Sequence, residues 1–432
     1  MDDNTRAEEN ENGVEGINTK VAKPISVETI LHMQDGTGED SYARNSTFQA
    51  TGMASVTDLL LQEASSLLHL PAQGWLSVAD LGCAAGPNTI SLANRVVAHL
   101  QEKSFDHGDA LEFQLFFSDN PSNDFNTLFR SLPPLMTFSN LHANNINGHH
   151  IESSPGDECA KRWYFAAGVP GSFYTRLFPR NSLHLVVSFF ALHWISKIPE
   201  IAQARSSNES NEGSRSLYFP MPEVIEDFTK QAHTDLCSFL NHRAEEIVSG
   251  GILFLVFLGR QTSSSLERQP ASVTQGSKCY TTSCTSQDSR VAGHTAFLYH
   301  LLHLSFDDLV SEGLIDVRTK ESFNLPYCDR DTNDIKKAVS ESGLFTIRIL
   351  EQQTCSFWSK EDKEEMEKSH EEVGRRCCKL IKSIVGSLVE AHIGSHLSQL
   401  FWDRFEKKAA ENADYALNSY YYVANIVCLR RN

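Results

Sequence analysis

Val78-Ala79-Asp80-Leu81-Gly82-Cys83-Ala84-Ala85-Gly86-Pro87-Asn88 decides the fold. An apolar run ends on an acid, passes through two glycines and enters a pattern in which Ala93, Val96, Val97 and Leu100 share one helical face. That order predicts a strand, a ligand-binding turn and a helix, the first β-α unit of a doubly wound α/β sheet. Glycine lets the backbone turn sharply and lets a ligand approach main-chain atoms, while the helix start beyond it leaves N–H groups free. An ordinary strand-to-helix turn has the same outline. A second acidic strand end, Phe113-Gln114-Leu115-Phe116-Phe117-Ser118-Asp119, weighs against that plain reading. Such ends gather at the carboxyl edge of an open sheet, where a carboxylate accepts hydrogen bonds from both hydroxyls of a ribose. The turn offers Gly-x-x-x-Gly with no basic residue beside it, so a nucleoside is expected and a dinucleotide is not.

Outward from this unit, 432 residues with 41% apolar and 22% charged composition suit one large globular unit or a core with an inserted cap. The formal net charge of −17 and the lack of clustered Lys and Arg exclude a nucleic-acid partner. The apolar run 252–258 is too short for a bilayer, and 1–23 is acidic and polar without an apolar signal core. A soluble cytosolic protein with no membrane partner is the expectation. Ten scattered cysteines without Cys-x-x-Cys spacing read as reduced thiols. His142, His149 and His150 fall in an Asn- and Gly-rich stretch that reads as a solvated loop.

Residues 1–24 lack the apolar content to offset ordering entropy and read as a disordered acidic tail. A helix is expected to start within 40–49 and run to 68. Strands are expected at 77–81, 113–118, 183–188 and 251–258, with helices at 89–100 and 221–248, which implies a mostly parallel sheet. The polar runs 204–216 and 261–290 read as insertions, the second a flexible one. Helices over 296–312 and 360–393 are expected to form a cap, and 344–351 and 420–429 to close the sheet as antiparallel edge strands. No internal repeat is visible.

Several ordered blocks carry a resemblance: Ser41-Tyr42-Ala43-Arg44-Asn45-Ser46-Thr47-Phe48-Gln49, the stretch 79–88, Asp124-Phe125-Asn126-Thr127-Leu128-Phe129-Arg130-Ser131-Leu132-Pro133 and Gly168-Val169-Pro170-Gly171-Ser172-Phe173-Tyr174. Arg176-Leu177-Phe178-Pro179-Arg180-Asn181-Ser182-Leu183-His184 and Leu192-His193-Trp194 extend them. Together they resemble the SABATH family of plant S-adenosylmethionine-dependent methyltransferases. The second half matches more thinly, through Leu258-Gly259-Arg260, Ser311-Glu312-Gly313-Leu314 and Phe323-Asn324-Leu325-Pro326. The resemblance implies a Rossmann-like methyltransferase sheet with an α-helical cap drawn mainly from about 196–235, 261–325 and 360–415, all within one domain at 25–432. It also implies a homodimer.

Methyl transfer from a sulfonium is limited mainly by placement of the nucleophile. A carboxylic acid with a pKa near ~4–5 arrives ionised at neutral pH, so no catalytic base is required. By resemblance Gln49 and Trp194 place it, since an amide NH2 and an indole N–H can each bond one carboxylate oxygen. His193, Phe190 and Tyr299 complete the implied substrate pocket, where Phe189 and Phe190 form an aromatic wall. Tyr299 stands where the family commonly has Trp, and Gln34 where it commonly has Lys. The implied S-adenosylmethionine ligands are Tyr42, Ser46, Cys83, Asn88, Asp119, Asn120, Ser172 and Phe173; Asn120 departs from the family's usual Leu. An optional structural Mg2+ is implied at Asn211, Glu321, Phe323 and Asn324, an oxygen-donor set. The expected reaction is methyl-ester formation on a small aromatic or arylpropenoic acid of the benzoate, salicylate, cinnamate or coumarate type. The alternatives are N-methylation of a purine alkaloid, or a non-catalytic S-adenosylmethionine-binding protein.

Overall fold

The computed structural model describes residues 27–70, 74–106, 111–135, 162–199, 222–260, 296–418 and 421–432. The tail expected at 1–24 and the insertions expected at 204–216 and 261–290 lie outside them. Seven strands form one sheet: β1 (Trp75–Leu81), β2 (Glu112–Asp119), β3 (Phe165–Pro170), β4 (Leu183–Phe189), β5 (Ile247–Leu258), β6 (Phe345–Ser356) and β7 (Tyr421–Arg431). Their order is β3-β2-β1-β4-β5-β7-β6. Strands β1 to β5 pair in parallel, whereas β7 pairs antiparallel with both β5 and β6. The winding direction reverses between β1 and β4, and a crevice opens at such a switch point beyond the carboxyl ends of the strands. The α/β, doubly wound expectation holds.

The helices are α1 (Val27–Ile30), α2 (Tyr42–Asn45), α3 (Thr47–Ala64), α4 (Pro87–Asp106), α5 (Phe125–Arg130), α6 (Pro222–Glu246), α7 (Ala296–Ser311), α8 (Val317–Ser322), α9 (Thr332–Ser342), α10 (Lys360–Met366), α11 (His370–Glu411) and α12 (Ala413–Asn418). Both faces of the sheet are covered. Leu60 of α3 and Val96, Val97 and Leu100 of α4 pack with Val78, Leu185 and Phe254 on one face. On the other, Leu236, Phe239 and Leu240 of α6 and Ile335, Ala338 and Val339 of α9 pack with Ala79, Val186 and Leu253. This two-sided cover explains why β4 is buried along its whole length, His184 and Ser188 included.

Three elements differ from expectation. β3 was not expected as a strand, being a six-residue element that contains Gly168 and Pro170 and is only partly buried. β7 is not an edge strand: its residues 422–429 are buried between β5 and β6, and β6 alone forms that edge. The helix expected at 360–393 is divided into α10 and a much longer α11, which continues to Glu411 through a kink at Gly394, where φ is +80°.

The segment before α2 lies along α11. Gln34 donates its backbone N–H to Ser383 O at 2.9 Å, and Ser387 Oγ donates to His32 O at 2.8 Å. A Cβ on Gly386 would stand 2.5 Å from Gln34 Nε2, so glycine there makes room for that side chain. Lys382–Asp40 and Lys379–Glu39 ion pairs at 2.7 and 3.1 Å continue the seam.

Candidate active site

The turn after β1 is shaped by what packs against it. Gly82 has φ +80° and Ala84 φ +51°. A Cβ on Gly82 would fall 2.4 Å from Ala191 Cβ in the loop after β4, so both the conformation and the close approach require glycine. Ser118 O accepts the N–H groups of Gly82 and Cys83 at 2.8 and 3.2 Å, which ties the turn to the end of β2. Asp119 then closes the arrangement: Oδ2 accepts Ala84 N–H at 2.8 Å and Oδ1 accepts Asn120 N–H at 2.7 Å. Burial raises the Asp119 pKa, opposed by those two N–H groups and by His32. Each carboxylate oxygen has a further lone-pair site to offer a ligand.

Asp80, one strand over, is pushed up to about 7 by burial, opposed by the Thr89 hydroxyl and reinforced by Asp119. Thr89 Oγ1 donates to Asp80 Oδ2 at 2.5 Å. A carboxyl whose folded pKa exceeds its unfolded value binds more protons when folded, so its contribution to stability falls as pH rises from the unfolded value towards about 7. Asp80→Asn is therefore expected to gain stability relative to the parent between pH 5 and pH 8, measured by urea denaturation at the two pH values; a pH-independent difference would refute this.

Beyond these strand ends lies an open cleft. Of the expected cofactor ligands, Tyr42, Asp119, Asn120, Ser172 and Phe173 line it. Ser46, Cys83 and Asn88 do not. Asn88 Nδ2 instead donates to Ser46 O and Oγ at 3.1 and 3.0 Å, fastening the α2–α3 junction to the first turn of α4. Cys83 is buried, and burial pushes its thiol pKa well up.

Of the expected acceptor residues, Gln49, Phe190, His193 and Trp194 line the cleft. Tyr299 falls in α7, but its side chain lies outside the described residues. Phe190 adopts φ +53°, rare for a bulky residue, with its N–H bonded to Val256 O at 2.6 Å. Its ring meets Phe48 at 5.0 Å, and a Cβ on Gly52 would come within 2.5 Å of it, so α3 can pass only as glycine at that point. Gln49 and His193 are 5% and 4% exposed, and neither Gln49 Oε1 nor His193 Nδ1 has a hydrogen-bond partner. Burial, followed by the nearby Arg330 charge, takes the His193 pKa down to about 3, so its ring is neutral at physiological pH. Trp194 makes no side-chain hydrogen bond among the described residues, and its ring meets Tyr327 edge-on at 5.8 Å. Buried polar atoms left unpaired cost about 1–3 kcal/mol each, which a ligand of matching polarity would relieve.

The loop after β3, which carries Ser172 and Phe173, is held from α6. Arg243 Nη1 donates to Phe173 O and Nη2 to Thr175 O, both at 2.8 Å. Glu246 Oε1 accepts Leu177 and Phe178 N–H at 2.6 and 3.0 Å and also Arg243 Nη2 at 2.9 Å.

With this geometry in place, residues 28–432 match the family described as SAM dependent carboxyl methyltransferase. The chain belongs to that family. Similar proteins include indole-3-acetate O-methyltransferase 1 of Arabidopsis thaliana, 34% identical over 93% of this chain and 95% of that protein. Another is 3,7-dimethylxanthine N-methyltransferase TCS1 of Camellia sinensis var. assamica, 32% identical over 89% of this chain and 92% of that one. A solved structure of loganic acid methyltransferase with SAH superposes with a TM-score of 0.71 at 25% identity, covering 93% of this chain and 98% of that one. The protein is thus an S-adenosylmethionine-dependent methyltransferase.

The carboxyl methyltransferase site fits that cofactor: a half-satisfied carboxylate at a strand end, the turn residues Gly82 and Ala84, and the Phe173 ring line one cleft. The magnesium positions are less gathered. Asn211 lies outside the described residues. Glu321 lies in the last turn of α8 with Phe323 and Asn324 just after the helix, and Asn324 Oδ1 is buried without a partner. No group of three acidic, His or Cys ligands forms around them among the described residues.

Sequence reading missed the part of the wall that comes from 31–33 and from Ile381, Ile384 and Val385 of α11. These residues have no motif of their own; the seam along α11 brings them there. Asn120, the departure from the family, has a use in that seam, because its Nδ2 donates to Leu31 O at 3.3 Å.

Proposed function

We propose that this methyltransferase esterifies the carboxylate of a small aromatic acid, and that the cleft divides into a cofactor half and an acceptor half. The observation that supports this most is the gathering of Gln49, His193 and Trp194 in one wall with Phe48, Phe189 and Phe190, the Trp194 side chain making no hydrogen bond among the described residues. Among the described residues no Lys or Arg lines the cleft. A carboxylate there would be held by neutral donors, the Gln49 amide and the Trp194 indole N–H, which orient it without the strong pairing that would blunt its nucleophilicity. When bound, S-adenosylmethionine supplies a methyl group from a cationic sulfur, and the bond electrons stay with that sulfur. The protein's task is orientation and the exclusion of water. Asp119 and the backbone of the turn hold the ribose side; Phe173 covers the adenine. Magnesium at Glu321, Phe323 and Asn324, and pairing into a homodimer, belong to the proposal by family resemblance alone.

A second reading is N-methylation of a xanthine, which the Camellia relative and the unpaired His193 ring nitrogen favour. Incubation with radiolabelled cofactor separates the two: label in aromatic acids supports the first, and label in xanthines with none in any acid overturns it. Trp194→Phe keeps the wall and deletes one donor. Its kcat/KM for the acid is expected to fall roughly 10- to 100-fold, the worth of one hydrogen bond to a charged group, with cofactor Kd almost unchanged. Equal damage to cofactor binding would make Trp194 a packing residue.

A further inference from the structure

On the face of the sheet opposite α3 and α4, the seam between α6 and α9 holds three side chains that methyl transfer does not use. His233 and Cys237 lie four residues apart on α6 and so share one helical face. Glu341 comes from the last turn of α9. His233 Nε2 stands 2.8 Å from Glu341 Oε2, and Cys237 Sγ stands 3.6 Å from each of those atoms.

We propose that His233, Cys237 and Glu341 form a binding site for a thiophilic divalent cation of the zinc type, with solvent in the fourth position. Bonds of about 2.3 Å to sulfur and about 2.0–2.2 Å to nitrogen and oxygen give a tetrahedral zinc S–N and S–O edges of about 3.5–3.6 Å and an N–O edge of about 3.4 Å. The two sulfur edges already have these lengths. The N–O edge is shorter because a proton is shared there, and opening it by about half an ångström needs only a torsion of Glu341, whose side chain is 49% exposed. A thiolate and an imidazole select zinc over magnesium or calcium. The scaffold is already rigid: Leu236 and Leu240 of α6 pack on Ile335 and Val339 of α9 in one buried cluster. α9 is fixed at its start by the Asp331–Asp334 capping box and at its end by left-handed Gly343. Lys337 reaches the other Glu341 oxygen at 4.0 Å and is 65% exposed, so it can turn to solvent when a cation binds. Binding replaces the thiol S–H by a metal–sulfur bond and releases that proton to water, while the hydrogen between His233 Nε2 and Glu341 moves to Nδ1 of the same ring to free the Nε2 lone pair; the thiol proton makes affinity rise with pH.

The test is titration of the purified, chelator-treated full chain with Co2+. One equivalent is expected to produce a thiolate-to-cobalt charge-transfer band and intense tetrahedral visible bands, both lost on addition of Zn2+. Cys237→Ser should abolish the charge-transfer band, and it and Glu341→Gln should each weaken Zn2+ binding by more than the roughly 10-fold that loss of an outer-shell partner costs. A band that survives Cys237→Ser assigns the metal to another thiol and overturns the site, as does a six-coordinate spectrum or no binding. Glu341→Gln, at the exposed corner, supplies the comparison if Cys237→Ser does not fold.

Discussion

Glu246→Ala is expected to lower unfolding stability by about 3–5 kcal/mol, the usual cost of leaving one member of a buried ion pair alone. Arg243 and Glu246 side chains are both 0% exposed, with Arg243 Nε 2.7 Å from Glu246 Oε2. Truncation strands the guanidinium and also orphans the Leu177 and Phe178 N–H groups that Glu246 Oε1 accepts. The loss should reach function as well, because the backbone so released follows directly on Ser172 and Phe173. Urea denaturation measures the first effect, and calorimetry with S-adenosylhomocysteine under conditions where the variant is folded measures the second. A stability within about 1 kcal/mol of the parent would show that the pair relaxes into solvent when broken. Glu246→Gln keeps an acceptor for the loop N–H groups and should retain more cofactor affinity than alanine does.

Asp119→Ala should raise the cofactor Kd by roughly 10- to 100-fold, since hydrogen bonds to a charged acceptor are worth about 1.5–3 kcal/mol. The acceptor KM at saturating cofactor should change much less. Two effects act together here: the proposed acceptor for the ribose is removed, and the Ala84 and Asn120 N–H groups lose theirs. Because burial raises the Asp119 pKa, cofactor affinity in the parent should decline as pH falls through a value above 3.8, and Asp119→Ala should abolish that decline. Isothermal titration at a series of pH values tests both. A Kd within twofold of the parent would remove Asp119 from the cofactor site.

What was legible in the chain follows the range over which each feature is specified. The first β-α unit and the acid at the end of β2 rest on local periodicity and on a turn that glycine alone can make, so 78–88 and Asp119 were found where they stand. Phe190, His193, Trp194 and Gln49 were reached through family blocks, and the structure brings all four to one cleft. Ser46 and Asn88 were read as ligands because their block matched, yet bonding between them is a property of two segments 42 residues apart. β3 escaped notice since a short strand with glycine and proline has no strong alternation. The contribution of Leu31 and His32 depends on docking against α11, whose partner lies some 350 residues away in sequence. Pattern reading cannot see such pairings; only the packed chain shows them.

The position of β7 sets a timetable for synthesis. β1 to β5 and the helices between them can assemble as residues up to 258 leave the ribosome, each strand finding its neighbour already present. β6, at 345–356, cannot: among the described residues its only pairing partner is β7, which starts at Tyr421. Until then the open edge of β5 and the whole of β6 are unpaired backbone, the kind of surface on which nascent chains stick to one another. During that interval about 65 residues, most of them in α11, must be translated, which at 5–20 residues per second is roughly 3 to 13 seconds. Chaperone demand for this enzyme should therefore concentrate late in translation, after β1 to β5 have paired and before the sheet is closed.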